Sequence, residues 1–222
     1  MNKHYFDGIE WEADVVYSGA PMSVIMSFAN EEEMRKISAW ADYMDFMPGR
    51  PSRDQKDILE YASLLGGMYR TYESDDRFAG SANRLERLIQ ENPHGDVLFA
   101  LVMKLPVSVA VHAPFACGEI LGFSAMRRTW KNTIKLEFLA SSPFHDGTDM
   151  GLRGVGGALL LTSVHLSEML SAPMFWGEST DTSLGFYLKW KFKVLEEIVY
   201  LDSVGIARFV GDVFRRLRHD IH

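Results

Sequence analysis

The sequence predicts an α/β protein in which a mixed, mainly antiparallel central sheet is flanked by helices, with a helix-rich first portion. Three observations lead there. Residues 97–105, 119–128 and 133–140 are apolar, β-branched or aromatic runs joined by links rich in Pro, Gly, Lys and Asn, the pattern of an antiparallel meander. Residues 158–170 form an apolar, helix-like run that opens on glycines. Ahead of the strands, Ile58, Tyr61, Leu64, Leu65 and Met68 recur at helical spacing across 54–72.

In chain order, 23–28 is a short apolar run. Asn30 suits a helix N-cap, because its side-chain oxygen can accept from an amide that the first turn leaves unpaired. Glu31, Glu32 and Glu33 then complement the positive end of a helix over 31–46. The stretch Met47-Pro48-Gly49-Arg50-Pro51-Ser52 breaks that helix, 54–72 resumes helical spacing, and 84–90 adds a short further helix. The three strands follow, with Trp130-Lys131-Asn132 as a tight connection and 107–118 as a longer loop or bulged hairpin. A helix over about 153–171 is stopped by Pro173; then come a short strand over 174–177, a helix over 182–190 and a strand over 192–201. A final amphipathic helix over 204–218 ends in Arg215, Arg216 and Arg218, which suit a helix C-terminus. There is no internal repeat, and 222 residues fit a single domain: a portion over 1–96, a core over 97–201 and a last helix over 202–222.

Composition narrows the classes. Hydrophobic content of 47% with 24% charged residues is that of a globular chain, not a disordered one. Cys117 is the one cysteine, so no internal disulfide forms and a reducing compartment is the simpler expectation; it reads as a loop or strand-end residue. The first residues lack an apolar signal core and no apolar run approaches a membrane span, which makes the cytoplasm the expected location. Residues 1–96 carry 18 acidic and 10 basic side chains against 12 and 13 in the remainder, so the net charge of −7 belongs to the first portion. That excludes a broad nucleic-acid surface and is compatible with a cationic substrate. His112, His145 and His165 are widely spaced and form no ligand pattern, so no metal site is expected.

The segment Arg153-Gly154-Val155-Gly156-Gly157-Ala158 carries the chemistry. Glycines let a backbone approach an anion without Cβ clashes, and a helix start offers unpaired N–H groups and the positive end of its dipole. Arg153 adds a fixed charge. Glycines before a helix also serve close packing, so the segment alone leaves phosphate cradle and packing turn evenly matched.

Beyond that segment the chain resembles the GNAT superfamily of acyl-CoA-dependent N-acetyltransferases. The family's signature is Arg or Gln, two residues, Gly, one residue, then Gly or Ala, and Arg153, Gly156 and Ala158 stand at those positions. Downstream, Tyr187-Leu188-Lys189-Trp190-Lys191-Phe192 is similar to the family's Tyr-x-Lys-x-Gly-Phe element, with Lys191 in the glycine place. Upstream, Gly118-Glu119-Ile120-Leu121-Gly122-Phe123 resembles its glycine-bearing third strand; the likeness spans roughly 97–200. The resemblance implies a GNAT-like sheet in which the strand before the cradle splays from the strand after the helix, the pantetheine arm of acetyl-CoA lying in the opening. Leu139, Ala140 and Ser141 would pair with that arm. Amides of Gly154, Val155, Gly156, Gly157 and Ala158, with Arg153, would hold the diphosphate.

The resemblance also implies roles for direct transfer from acetyl-CoA to a primary amine. Tyr187 would protonate the departing thiolate, although Phe186, Tyr187, Trp190 and Phe192 also read as an aromatic core group. Glu137 would be the base, on a strand whose alternation puts Ile134, Leu136 and Phe138 on one face and Lys135, Glu137 and Leu139 on the other, so its carboxylate points into the cleft or into solvent. Glu178 is a weaker substitute. The family often dimerises, so a homodimer is one option. Two departures stand out: a long loop over 144–152 between Pro143 and Arg153, and Thr180, Asp181 and Thr182 where many relatives carry Asn. Two rivals follow, a GNAT-like module without turnover and, more distantly, a dinucleotide enzyme. The latter fits worse, because Leu159 occupies its third glycine position and the strands ahead look antiparallel. An NTPase phosphate loop fails for lack of Gly-Lys-Ser/Thr.

Overall fold

The structure, a computed structural model, describes residues 10–17, 19–40, 42, 53–105, 120–143 and 152–219. His112, Cys117, Gly118, Glu119, His145 and most of the 144–152 loop lie outside them, as do the side chains of Arg215, Arg216 and Arg218. Among the described residues, nine strands form one sheet: β1 (Trp11–Tyr17), β2 (Ala20–Phe28), β3 (Phe78–Ala79), β4 (Val97–Lys104), β5 (Ile120–Arg128), β6 (Ile134–Ser141), β7 (Met174–Glu178), β8 (Lys193–Leu195) and β9 (Ile198–Asp202). Their order is β1-β2-β4-β5-β6-β7-β9-β8, with β3 beside β4. All neighbours are antiparallel except β3 with β4 and β6 with β7. The mixed, mainly antiparallel α/β sheet expected from the sequence is present.

Helices cover both faces. On one, α1 (Glu31–Ser38) and α2 (Arg53–Ser74) close a core of Met34, Ile37, Leu59 and Leu65 with Ala100, Val102, Phe123, Ala125 and Ala140 of the sheet. On the other, α3 (Ala82–Glu91), α4 (Val155–Met169), α5 (Asp181–Lys189) and α6 (Ser203–His219) contribute to a larger core around Phe99, Leu101, Leu121, Leu136 and Phe175. Strand β4 is buried on both sides from Val97 to Met103 because it is central to this sandwich of layers. Among the described residues no helix is long and apolar enough to cross a membrane.

Local chemistry accounts for several boundaries. Asn30 caps α1 in a reciprocal box: its side chain accepts from the Glu33 amide at 3.0 Å, and its own amide donates to the Glu33 carboxylate at 2.9 Å. Glu33 in turn pairs with Lys104 at the end of β4. Helix α1 ends at Ser38 with a tighter turn through Trp40, eight residues short of the expected 46; most of 41–46 lies outside the described residues.

Three expectations are corrected. The first portion is helix-rich as expected, with α1, α2 and α3, but it also carries strands that were not expected: β1 and β2 form a hairpin turned at Gly19 (φ +83°), with Trp11, Ala13 and Val15 set against Met26, Val24 and Met22. The single strand expected over 192–201 is a hairpin, β8 and β9, turned at Glu196 with a positive φ of 55°. The third correction concerns β6. Its register with β5 shifts between Ala125 and Met126, so Leu136 faces Met126, Phe138 faces Ala125, and Glu137 is an extra residue between them. Strict alternation therefore fails. Leu136 packs into the α4 core while Phe138 packs against the α1–α2 core, and Leu139 returns to the α4 side.

Candidate functional site

The site is built where β6 leaves β7. These parallel strands are in register only from Ile134 opposite Phe175 to Leu136 opposite Gly177, whereas β6 runs on to Ser141. Beyond Leu136 its β7-facing edge is unpaired over 137–141, while the other edge stays zipped to β5 up to Ser141 opposite Gly122. Leu139, Ala140 and Ser141 thus stand on an open edge in a buried strand, with backbone groups that an extended ligand can satisfy. Ser142, the next residue, donates its amide to the Leu121 carbonyl at 2.8 Å, and its fully buried Oγ has no hydrogen-bond partner among the described residues.

Helix α4 begins beside this opening. Gly154 is its N-cap with φ +95°, a conformation that strongly favours glycine, and no side chain caps the turn. The backbone of Arg153 is held by β1: its amide donates to the Val16 carbonyl at 2.8 Å, and the Val16 amide donates to the Arg153 carbonyl at 2.9 Å. The Arg153 side chain is exposed, and among the described residues it forms no ion pair. The Ala158 amide donates to the Gly154 carbonyl at 2.9 Å. Among the described residues the donors left over are therefore the amides of Gly154, Val155, Gly156 and Gly157, one fewer than the sequence suggests, at the positive end of a 15-residue helix.

The glycines divide the two roles the sequence left matched. A Cβ on Gly156 would meet nothing nearer than the Phe186 ring at 3.9 Å, so this position is open. On Gly157 it would meet the Trp190 ring at 3.0 Å, so this glycine lets α5 and the turn after it close on α4. Gly122 of β5 matters most for placement. A Cβ there would lie 2.6 Å from Val155 Cγ1 and 2.8 Å from the Ala140 carbonyl, so its absence lets the start of α4 sit directly on the sheet next to β6. A buried contact between Ser124 and Ser163 hydroxyls, 2.9 Å, fixes α4 on β5 one helical stretch further along.

Tyr187 comes from α5, whose N-cap Thr180 forms a reciprocal box with Ser183. Its ring lies 5.3 Å from Phe186 and 5.4 Å from Phe192, so it is part of an aromatic cluster. Burial pushes its phenol up to about 12, with a smaller contribution from Tyr61 of α2. The hydroxyl makes no hydrogen bond among the described residues. Tyr61 itself packs on Phe138 at 5.5 Å and comes from the far face of the sheet, a neighbour that its helical spacing alone did not reveal.

Glu137 lies in neither free cleft nor open solvent. Its side chain, 10% exposed, accepts from Arg127 Nε at 2.7 Å and pairs with Lys135 Nζ at 3.1 Å. Arg127 continues to Asp96 at 2.9 Å, and Lys135 to Glu178 at 2.9 Å, giving a chain of five charges from the residue before β4 across β5, β6 and β7. Burial works against the charge on Lys135, but Glu178 and Glu137 outweigh it and hold the ammonium above its ordinary range. Glu178 is 66% exposed at the end of β7, where the strands have parted. His165 lines a groove beside α4 and lies 3.7 Å from Glu168; among the described residues no group of three His, Cys, Asp or Glu could hold a metal ion.

The Gly place of the downstream motif is explained by conformation. Lys191 follows α5 with φ +63°, the left-handed region that glycine occupies without strain. The chain takes the turn that the motif's glycine would make, with a lysine in it.

The fold is thus GNAT-like in its split parallel pair, its helix start at the split and its aromatic helix beside it. No family model matches the sequence, and no curated protein does. Solved structures are similar in shape. A protein from Desulfovibrio desulfuricans assigned to the GNAT family of acetyltransferases is 12% identical, with 81% of this chain and 99% of that one covered and a TM-score of 0.49. A GNAT family acetyltransferase from Brucella melitensis, in complex with acetyl-CoA, is 13% identical over 81% and 87%, with a TM-score of 0.47. An acetyltransferase of the GNAT family from Staphylococcus aureus Mu50 is 10% identical over 81% and 99%, with a TM-score of 0.45.

Proposed function

We propose that this protein is an acyl-CoA-dependent N-acetyltransferase that passes an acetyl group from acetyl-CoA directly to a primary amine. The observation that carries this reading is the opening between β6 and β7: register ends at Leu136 and Gly177, and uncapped amides of α4 stand at its mouth. Leu139, Ala140 and Ser141 pair with the pantetheine arm as an added strand would. The amides of 154–157 and the Arg153 guanidinium receive the diphosphate. Bound there, acetyl-CoA supplies an acetyl group activated as a thioester.

The chain's own residues manage the protons. The attacking nitrogen sheds one proton and the departing sulfur takes one, so the exchange balances. Tyr187, raised to about 12, remains protonated through the neutral range and offers its O–H to the sulfur. Glu137 and Glu178 share Lys135 between them and form the carboxylate group available to the nitrogen's proton. Glu137 would have to loosen two ion pairs to act, whereas Glu178 is free on its exposed side. The acidic first portion favours a cationic amine.

The experiment is CoA-thiol release from acetyl-CoA against a panel of amines, with binding of acetyl-CoA measured in parallel. Turnover with at least one amine is expected. Binding without turnover for any amine would reduce the protein to an acyl-CoA-binding module, and stabilisation by NAD in place of acetyl-CoA would overturn the reading entirely. Glu137→Gln and Glu178→Gln should each be profiled against pH, and an unchanged acid limb in both would remove this carboxylate pair from the mechanism.

A further inference from the structure

Trp190 separates two cavities of opposite charge. Its ring covers Gly157 in the first turn of α4, and it lines both. On the β1 side is a groove of about 600 Å³ bordered by Glu12 and Asp14. On the α6 side is a pocket of about 120 Å³ lined by Lys189, Lys191, Lys193 and Arg208, with Phe209 5.6 Å from the Trp190 ring. Two of its cations are engaged: Lys193 pairs with Asp202, and Lys191 lies 3.8 Å from Asp212. Lys189 and Arg208 have no ion pair among the described residues. Arg208 nevertheless lies close enough to act electrostatically on Lys193 and Asp202, so the charges form one group.

A cluster of lysines at the end of a helix can simply complement its dipole, and Lys189 alone would be read that way. Arg208 comes from the middle of another helix, however, and a guanidinium with no ion pair among the described residues, lining the same concave site as an ammonium, suits a multiply charged anion. The site is one indole away from the amides of the α4 first turn. In coenzyme A the diphosphate is separated from a second anionic group, the 3′-phosphate of the adenosine, by one ribose. The start of α4 at Gly154 and Gly157 opens on the groove, whose Glu12 and Asp14 disfavour a second phosphate there, whereas the pocket across Trp190 attracts it, so the two cavities give the nucleotide end a direction.

We propose that the pocket formed by Lys189 and Arg208 beside Trp190 binds the 3′-phosphate of the acyl-CoA and makes the protein selective for phosphorylated coenzyme A. This rests on the acyl-CoA reading above. The test is calorimetric titration of the full chain with acetyl-CoA and with 3′-dephospho-acetyl-CoA, using the parent and a Lys189→Ala/Arg208→Ala variant, both of whose positions are exposed. The parent should bind the dephospho compound at least about tenfold more weakly, and the variant should bind the two alike, at the weaker level. The preference in the parent should shrink as salt is raised. Equal affinities in the parent would overturn the subsite while leaving the acyl-CoA reading intact. A preference that survives in the variant would place phosphate recognition elsewhere and likewise overturn it. Absence of binding by both compounds would overturn the acyl-CoA reading itself.

Discussion

The two edges of strand β6 follow opposite rules. Towards β5 it is paired from Ile134 to Ser141, with a single bulge at Glu137, and the sheet there is buried under α2 on one face and α4 on the other. Towards β7 it is paired for three residues and then open. The same eight residues are thus scaffold on one side and, in the proposed function, receptor on the other. An unpaired edge inside a protein is expensive unless something completes it, because each buried amide or carbonyl without a partner loses about 1–3 kcal/mol. On the closed side, Gly122 leaves the room that brings the start of α4 down on β5 next to β6.

Four substitutions break or sharpen that contrast. Filling the open side should have the largest effect. Gly156→Trp puts an indole into unoccupied space at the helix start, and acetyl-CoA should then give no measurable thermal shift while the fold is retained; retained affinity would count heavily against the cradle. On the closed side, Gly122→Val forces a Cβ against Val155 and the Ala140 carbonyl, and unfolding in urea should show a loss of about 3 kcal/mol. A loss below about 1 kcal/mol would mean that α4 is not seated by this glycine.

Tyr187→Phe should lower turnover by roughly 100-fold with little change in acetyl-CoA affinity. It has a second readout that does not involve activity. Because the folded phenol sits at about 12 and an unfolded tyrosine near 10, the fold retains a proton that the unfolded chain loses. The contribution is intact below pH 10 and is lost as pH rises towards 12, amounting to about 2–3 kcal/mol. The Phe variant should lose less stability than the parent over that interval; superimposable curves would show that the hydroxyl is not desolvated. Lys191→Gly should have the smallest effect, a stabilisation of about 1 kcal/mol by relieving the positive φ, offset in part by the greater freedom of glycine when unfolded. A destabilised variant would mean that Lys191, through Asp212 or its packing, matters more than its backbone.

Legibility in the sequence followed the range of the forces involved. Strands β4, β5 and β6 and helices α4 and α5 were foreseen to within two residues because their period and end signals are local. The β1 strand is not legible even though Trp11, Ala13 and Val15 alternate with Glu12 and Asp14, since a short alternation with one charged face gains its meaning only from a partner such as Met22–Met26. The Glu137 bulge could not be read at all. It depends on Ala125 and Met126 across the sheet, and it moved Phe138 to the other core and drew Glu137 into ion pairs that no spacing within β6 implies.

By itself the sequence determined the helix start with its bare amides, because glycines and the absence of a capping side chain are properties of a few adjacent residues. It also determined the aromatic run around Tyr187. Only tertiary structure decided that β6 and β7 part after Leu136, that Gly157 serves Trp190 while Gly156 stays open, and that Lys189 meets Arg208 in one pocket. Backbone conformation answers to neighbours in the chain, whereas an opening, a contact or a pocket exists only once segments far apart in sequence have been packed against one another.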